Sequence, residues 1–203
     1  MKYLLFVLGL SILFYACKKN PVSPQKLDEV NEIVPLSVGN FWQGLEETFD
    51  QNGQTLTKNN YKISIISKGD KPNSFILQKQ DGSKYTSVIT DSGLIFYFSY
   101  DPKLEPDHYL QFKYPAGNGD MYRIDKSGFR KIISSDTTIT TQFGRFQCIH
   151  YKLIYDGILS HWDDYISPGH GFIYSEYYQH QNSTGITYLQ SRTSYQPNIL
   201  PKK

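Results

Sequence analysis

Methionine and cysteine are scarce in this chain of 203 residues, with two of each. No stretch sustains the three-to-four-residue apolar period of a capped amphipathic helix, so helical architectures are excluded. A surplus of one charge sign is missing too. Twenty-one basic and 19 acidic residues leave a formal charge of +2, without the basic stripe of a nucleic-acid-binding surface or a reason to lie flat on an anionic membrane. No apolar run reaches the roughly 20 residues that a membrane-spanning helix needs. The common catalytic signatures are also lacking. There is no G-x-S-x-G elbow, H-E-x-x-H, C-x-x-C or phosphate-binding G-x-x-x-x-G-K, and no cofactor is expected.

What the chain does contain starts at its N-terminus. Met1-Lys2 is followed by an apolar run from Leu4 to Tyr15, the size of a signal-peptide core. The run ends at Phe14-Tyr15-Ala16-Cys17, which resembles a bacterial lipobox, with Cys17 as the residue that receives the lipid. Residues 1–16 are therefore read as a lipoprotein signal peptide and 17–35 as the lipidated cysteine and a flexible tether. The segment from Lys18 to Pro35 holds three prolines and few apolar residues, and its 18 residues reach about 60 Å at roughly 3.3 Å each. No acidic run follows Cys17, so the expected address is the cell envelope, lipid-anchored and facing the periplasm. Lipidation of Cys17 leaves Cys148 single, a small buried apolar residue in its ordinary role; His150, on the same strand face, is the nearest activator it could have as a nucleophile.

The region 36–200 reads as one β-domain. Aromatic residues make up 15 % of the chain, including 17 Tyr and 12 Phe, and these favour a pleated surface. Short strand-like runs alternate with turn signals, Asn52-Gly53 and Asp81-Gly82 being the strongest. Leu94 to Tyr100 is almost continuously apolar, as in a central strand covered on both faces. From Arg145 to Tyr155 the alternation places Ile149, Tyr151, Leu153 and Tyr155 on one face. The count is ten or eleven strands in a single antiparallel all-β domain: a curved sheet, half-barrel or sandwich.

Three segments, Val34-Pro35-Leu36-Ser37-Val38-Gly39-Asn40-Phe41-Trp42, Phe143-Gly144-Arg145-Phe146-Gln147-Cys148 and Tyr165-Ile166-Ser167-Pro168-Gly169-His170-Gly171, together resemble the TapB-like group of exported Bacteroidetes lipoproteins of unknown function. The resemblance implies an antiparallel β-fold and transfers no catalytic residue. On their own terms, Gly39-Asn40 is a turn that delivers Trp42 to the core, and Pro168-Gly169-His170-Gly171 is a turn allowing close backbone approach.

Candidate chemistry is sparse. His161 and Asp163 share a strand face and, with a returning His170, would make a weak metal site of His/carboxylate type. Asp164 points away from Asp163, so the two are not a paired acid/base device; Glu46-Glu47 fails the same test and reads as a solvated edge. Tyr151, Tyr155, Tyr174 and Tyr178 are the candidates for lining a groove that binds an apolar ligand. The expectation is an envelope lipoprotein without enzymatic activity that meets the membrane through its anchor and binds a hydrophobic small molecule or an envelope protein. The alternatives are a structural component of an envelope complex and a metal-dependent hydrolase.

Overall fold

The computed structural model describes residues 32–97, 108–125 and 127–200. Cys17, the signal peptide and most of the tether lie outside them. Twelve strands are described rather than ten or eleven: β1 (Phe41–Phe49), β2 (Thr55–Lys68), β3 (Ser74–Lys79), β4 (Lys84–Thr90), β5 (Gly93–Tyr97), β6 (His108–Lys113), β7 (Met121–Arg123), β8 (Gly128–Thr141), β9 (Gly144–Tyr155), β10 (Ile158–Ser167), β11 (Gly171–Gln181) and β12 (Ile186–Asn198). All belong to one antiparallel sheet in the order β6-β5-β4-β3-β2-β1-β12-β11-β10-β9-β8-β7. The chain thus meanders outward from β1 to β6, returns at β7, and meanders back to pair β12 with β1. Gly53 and Gly82 sit at positive φ in their hairpin turns, as the Asn-Gly and Asp-Gly signals require. The described part of the Leu94–Tyr100 run, Leu94 to Tyr97, lies in β5, beside the edge strand β6 rather than at the centre; its apolar character reflects burial of Leu94 and Phe96.

The sheet curls until its edge strands meet. Tyr122 of β7 donates its hydroxyl to the Gln111 carbonyl of β6 at 3.0 Å and accepts from the Lys113 amide at 3.1 Å. Tyr151 of β9 donates to the Lys113 carbonyl at 2.7 Å. Side chains thus close a wall whose other junctions are all backbone ladders. Inside, aromatic rings bridge opposite walls. Phe172 packs edge-on to Trp42 and Phe112, and Phe112 in turn contacts Tyr151 and Phe96. Rings are needed because the interior of so wide a sheet outruns the reach of aliphatic side chains.

One end is plugged. Ile33, Val34 and Leu36 are buried in the core. The Asn40 side chain ties this segment down, donating to Pro35 O at 2.8 Å and accepting from Leu200 N at 2.9 Å. Here two of the sequence motifs meet: the Trp42 indole donates to His170 O at 2.6 Å. A Cβ at Gly171, whose φ is +79°, would lie 2.8 Å from the Trp42 ring. The third motif joins them, with Phe146 edge-on to the His170 ring at 5.8 Å. All three motifs therefore build the plugged end.

Candidate binding cleft

Cross-strand register decides where the predicted residues go. Lys152, Asp163, Glu176, Arg192, Glu47 and Lys58 are successive partners across β9, β10, β11, β12, β1 and β2. They form one charged row on the face away from the core. Each of its carboxylates is gripped by two side chains. Glu47 takes Arg192 at 2.6 Å and Lys58 at 2.7 Å. Glu176 accepts from the hydroxyls of Tyr174 and Tyr178, both at 2.9 Å. Asp163 has His150 at 2.7 Å and His161 at 3.4 Å. Glu47 is only 8 % exposed, so the reading of Glu46-Glu47 as a solvated edge is corrected. Lys58 and Arg192 hold the Glu47 carboxyl below its ordinary range. Burial, reinforced by the Glu176 charge, pushes the Tyr174 hydroxyl up to about 12.

The metal candidates are not brought together. His161 and Asp163 are neighbours on β10, but His170 lies in the β10–β11 turn at the plugged end, against Ser167 and Phe146. His150 occupies the third place instead, stacked on Tyr165, while His161 stacks on Tyr178. Among the described residues no group of three or more His, Cys, Asp and Glu could hold a metal ion. The four tyrosines also fail to share a groove. Tyr151 pairs with Asp164 and faces the interior; Tyr174 is adjacent to Asp164's other partner, Ser175, and faces outward. Tyr155 turns inward onto Trp162, and Tyr178 outward onto His161. Cys148 is fully buried, and burial raises its thiol to about 12, which leaves no thiolate for chemistry at neutral pH.

On the inner side of the same strands lies a polar knot. Arg130, with a side chain 4 % exposed, reaches Asp164 at 2.6 Å. Asp164 also accepts from Ser175 at 2.7 Å, and the guanidinium rests 4.4 Å above the Phe112 ring. This ties β8, β10 and β11 to the edge strand β6. It positions the seam rather than offering a reacting group.

The space for a ligand is elsewhere: a cleft of about 1170 Å³ where the seam reaches the plugged end. Its floor is Ile33, Leu36 and Ile149; one wall comes from Phe75, Val88 and Ile89, the other from Tyr114, Pro115, Ala116, Ser135 and Asp136. The turns that shape it are held by backbone bonds, Ile89 N to Asn73 O at 3.2 Å and Tyr114 N to Ser92 O at 2.9 Å. Glu32, Asp91 and Asp136 add carboxylates, and no lysine, arginine or histidine joins the described lining. Sequence reasoning missed this site because its floor and walls come from segments scattered between Glu32 and Ile149, joined only by the curl of the sheet. Its volume is that of a pocket for a drug-sized molecule.

No family model and no curated protein matches the chain. Two solved structures are similar to it. One is a protein from Bacteroides fragilis NCTC 9343 named as exported and as having a YmcC-like fold, with 14 % identity and a TM-score of 0.49. The other is a protein from Parabacteroides distasonis ATCC 8503 named as a lipoprotein, with 14 % identity and a TM-score of 0.43. Each match covers 82 % of this chain and 98 % of the other. At this identity neither assigns the chain an activity or a ligand.

Proposed function

We propose that this chain is a non-enzymatic envelope lipoprotein of the TapB-like exported group, anchored through Cys17, that holds an apolar ligand in the cleft at its plugged end. The observation that carries the reading is the cleft itself, about 1170 Å³ and walled by Phe75, Val88, Ile89 and Ile149. Glu32 and Ile33, the first described residues after the tether, line it. The described chain therefore begins at the end of the molecule where the cleft lies. Residues 1–16 would be removed as a signal peptide, leaving a periplasm-facing domain tethered through Cys17. What favours binding over turnover is that burial holds the Cys148 thiol out of its thiolate form and that His170 stands apart from His161 and Asp163.

Native mass spectrometry of residues 18–203, exported to a bacterial periplasm without the lipid, tests this. The expected result is a reproducible extra mass, released by organic extraction and lost in Ala116→Trp, which fills the cleft. A bare polypeptide mass, together with no uptake of an added apolar dye, overturns the reading.

A further inference from the structure

The cleft is apolar in its depth and charged at its lip, and the lip carries charge of one sign. Phe75, Val88, Ile89 and Ile149 supply hydrocarbon, whereas Asp91 and Asp136 stand exposed at the opening, on the β4–β5 turn and on β8. Glu32 adds a third carboxylate from the segment that crosses the floor. No basic side chain among the described residues lines the space, although basic residues slightly outnumber acidic ones in the chain as a whole. An anionic amphiphile such as a fatty acid would have to bring its carboxylate to this lip and meet repulsion from every charge there.

We infer that the cleft selects a cationic amphiphile of small-molecule size, its apolar body between Phe75 and Ile149 and its amine or quaternary ammonium between Asp91 and Asp136. This rests on the cleft being a ligand site, as proposed above, and adds the ligand's chemical class. An amine within contact distance of one exposed carboxylate gains about fivefold in affinity at low salt, and less as salt is added. Two carboxylates therefore give a preference of at least tenfold over a neutral molecule of the same apolar body, and more over an anionic one. A buried apolar body supplies the affinity common to all three.

The test uses three probes that share a ten-carbon chain: decyltrimethylammonium, decyl maltoside and decyl sulfate, each below its micelle concentration. Binding to residues 18–203, which contain every described strand, is followed by calorimetry at low salt. The expected order is cation, then maltoside, then sulfate, with the cation at least tenfold ahead of maltoside. The double variant Asp91→Asn/Asp136→Asn replaces two exposed side chains and keeps an oxygen acceptor at each, so the fold is not at stake. It should cost the cation about tenfold and leave maltoside within twofold. Maltoside or sulfate binding as tightly as the cation, or a cation affinity unchanged in the variant, overturns the charge selection and leaves the cleft standing as an apolar site. Failure of all three probes to bind overturns both readings.

Discussion

Asp163 and Asp164 are neighbours in sequence and opposites in circumstance. Asp164 faces the interior, where it is bound by a guanidinium that is itself almost wholly buried. Asp163 faces outward and sits between two imidazoles in a row that continues through Glu176, Arg192 and Glu47 to Lys58. The same residue type, one position apart, serves a knot that fixes the seam in one case and a lattice that braces the outer wall in the other. The difference lies in what water can repair. When Glu47 is lost, the Lys58 and Arg192 side chains, 59 % and 41 % exposed, turn to solvent; when Asp164 is lost, the Arg130 side chain, 4 % exposed, stays in a medium that cannot solvate it.

The sharpest way to break this comparison is to remove a partner on each side. Asp164→Ala should cost about 3 kcal/mol or more, read as a lower urea midpoint, because it strands the Arg130 guanidinium, 4 % exposed, in the interior. Replacing both, as Arg130→Met with Asp164→Leu, should recover much of that loss, since an apolar pair of similar volume avoids the desolvation penalty. A double replacement no better than the single would show that the knot does more than balance its own charges. On the outer face Glu47→Gln should cost only about 1 kcal/mol, as expected for an ion pair whose cations, Lys58 and Arg192, are open to solvent. That loss should shrink in molar salt, whereas the Asp164 effect should not.

Acid sharpens the contrast further. Lys58 and Arg192 depress the Glu47 carboxyl in the folded state, so its contribution is fully present above the unfolded value of about 4.3. It is lost as pH falls through the lower, folded value. Urea midpoints measured from pH 6 to pH 3 should fall, and fall less steeply in Glu47→Gln. The smallest effect expected is none at all. A thiol-specific reagent at pH 8 should leave Cys148 unmodified in the folded protein and alkylate it fully in urea, since burial holds the thiol near 12. Rapid native labelling would show that this wall opens far more readily than its packing indicates.

Much of the scaffold was legible in the chain, because period two and turn chemistry are local properties. The alternation from Ile149 to Tyr155 gives the inner face correctly, and the Asn-Gly and Asp-Gly turns fall where the hairpins are. What stayed hidden depends on register. Nothing near Arg130 in sequence says that it is buried, because Ile132 and Ile133 are both apolar and leave the inward face of β8 undecided. Glu47 looks like any exposed acid until β12 brings Arg192 opposite it. Ile33 and Val34 were masked by the prolines around them, which suit a tether as well as they suit an ordered extended plug. The cleft was the least legible, being a property of closure and not of any one segment.

Closure itself has a mechanical consequence. Every junction of the wall but one is stitched by backbone hydrogen bonds in series, and separating two such strands means breaking a whole ladder at once. At β6 and β7 the joint is made by the hydroxyls of Tyr122 and Tyr151 and by the Lys113–Asp120 contact. The cleft lies at the foot of this joint, with Tyr114–Ala116 just beyond β6 and Asp136 on β8, beside β7. The wall is thus a hoop with a clasp. Parting the clasp would break the two phenol contacts, the Lys113–Asp120 pair and the Arg130 contact with Phe112 while leaving all eleven ladders intact, so the ring is one that can open at its seam without unravelling the sheet.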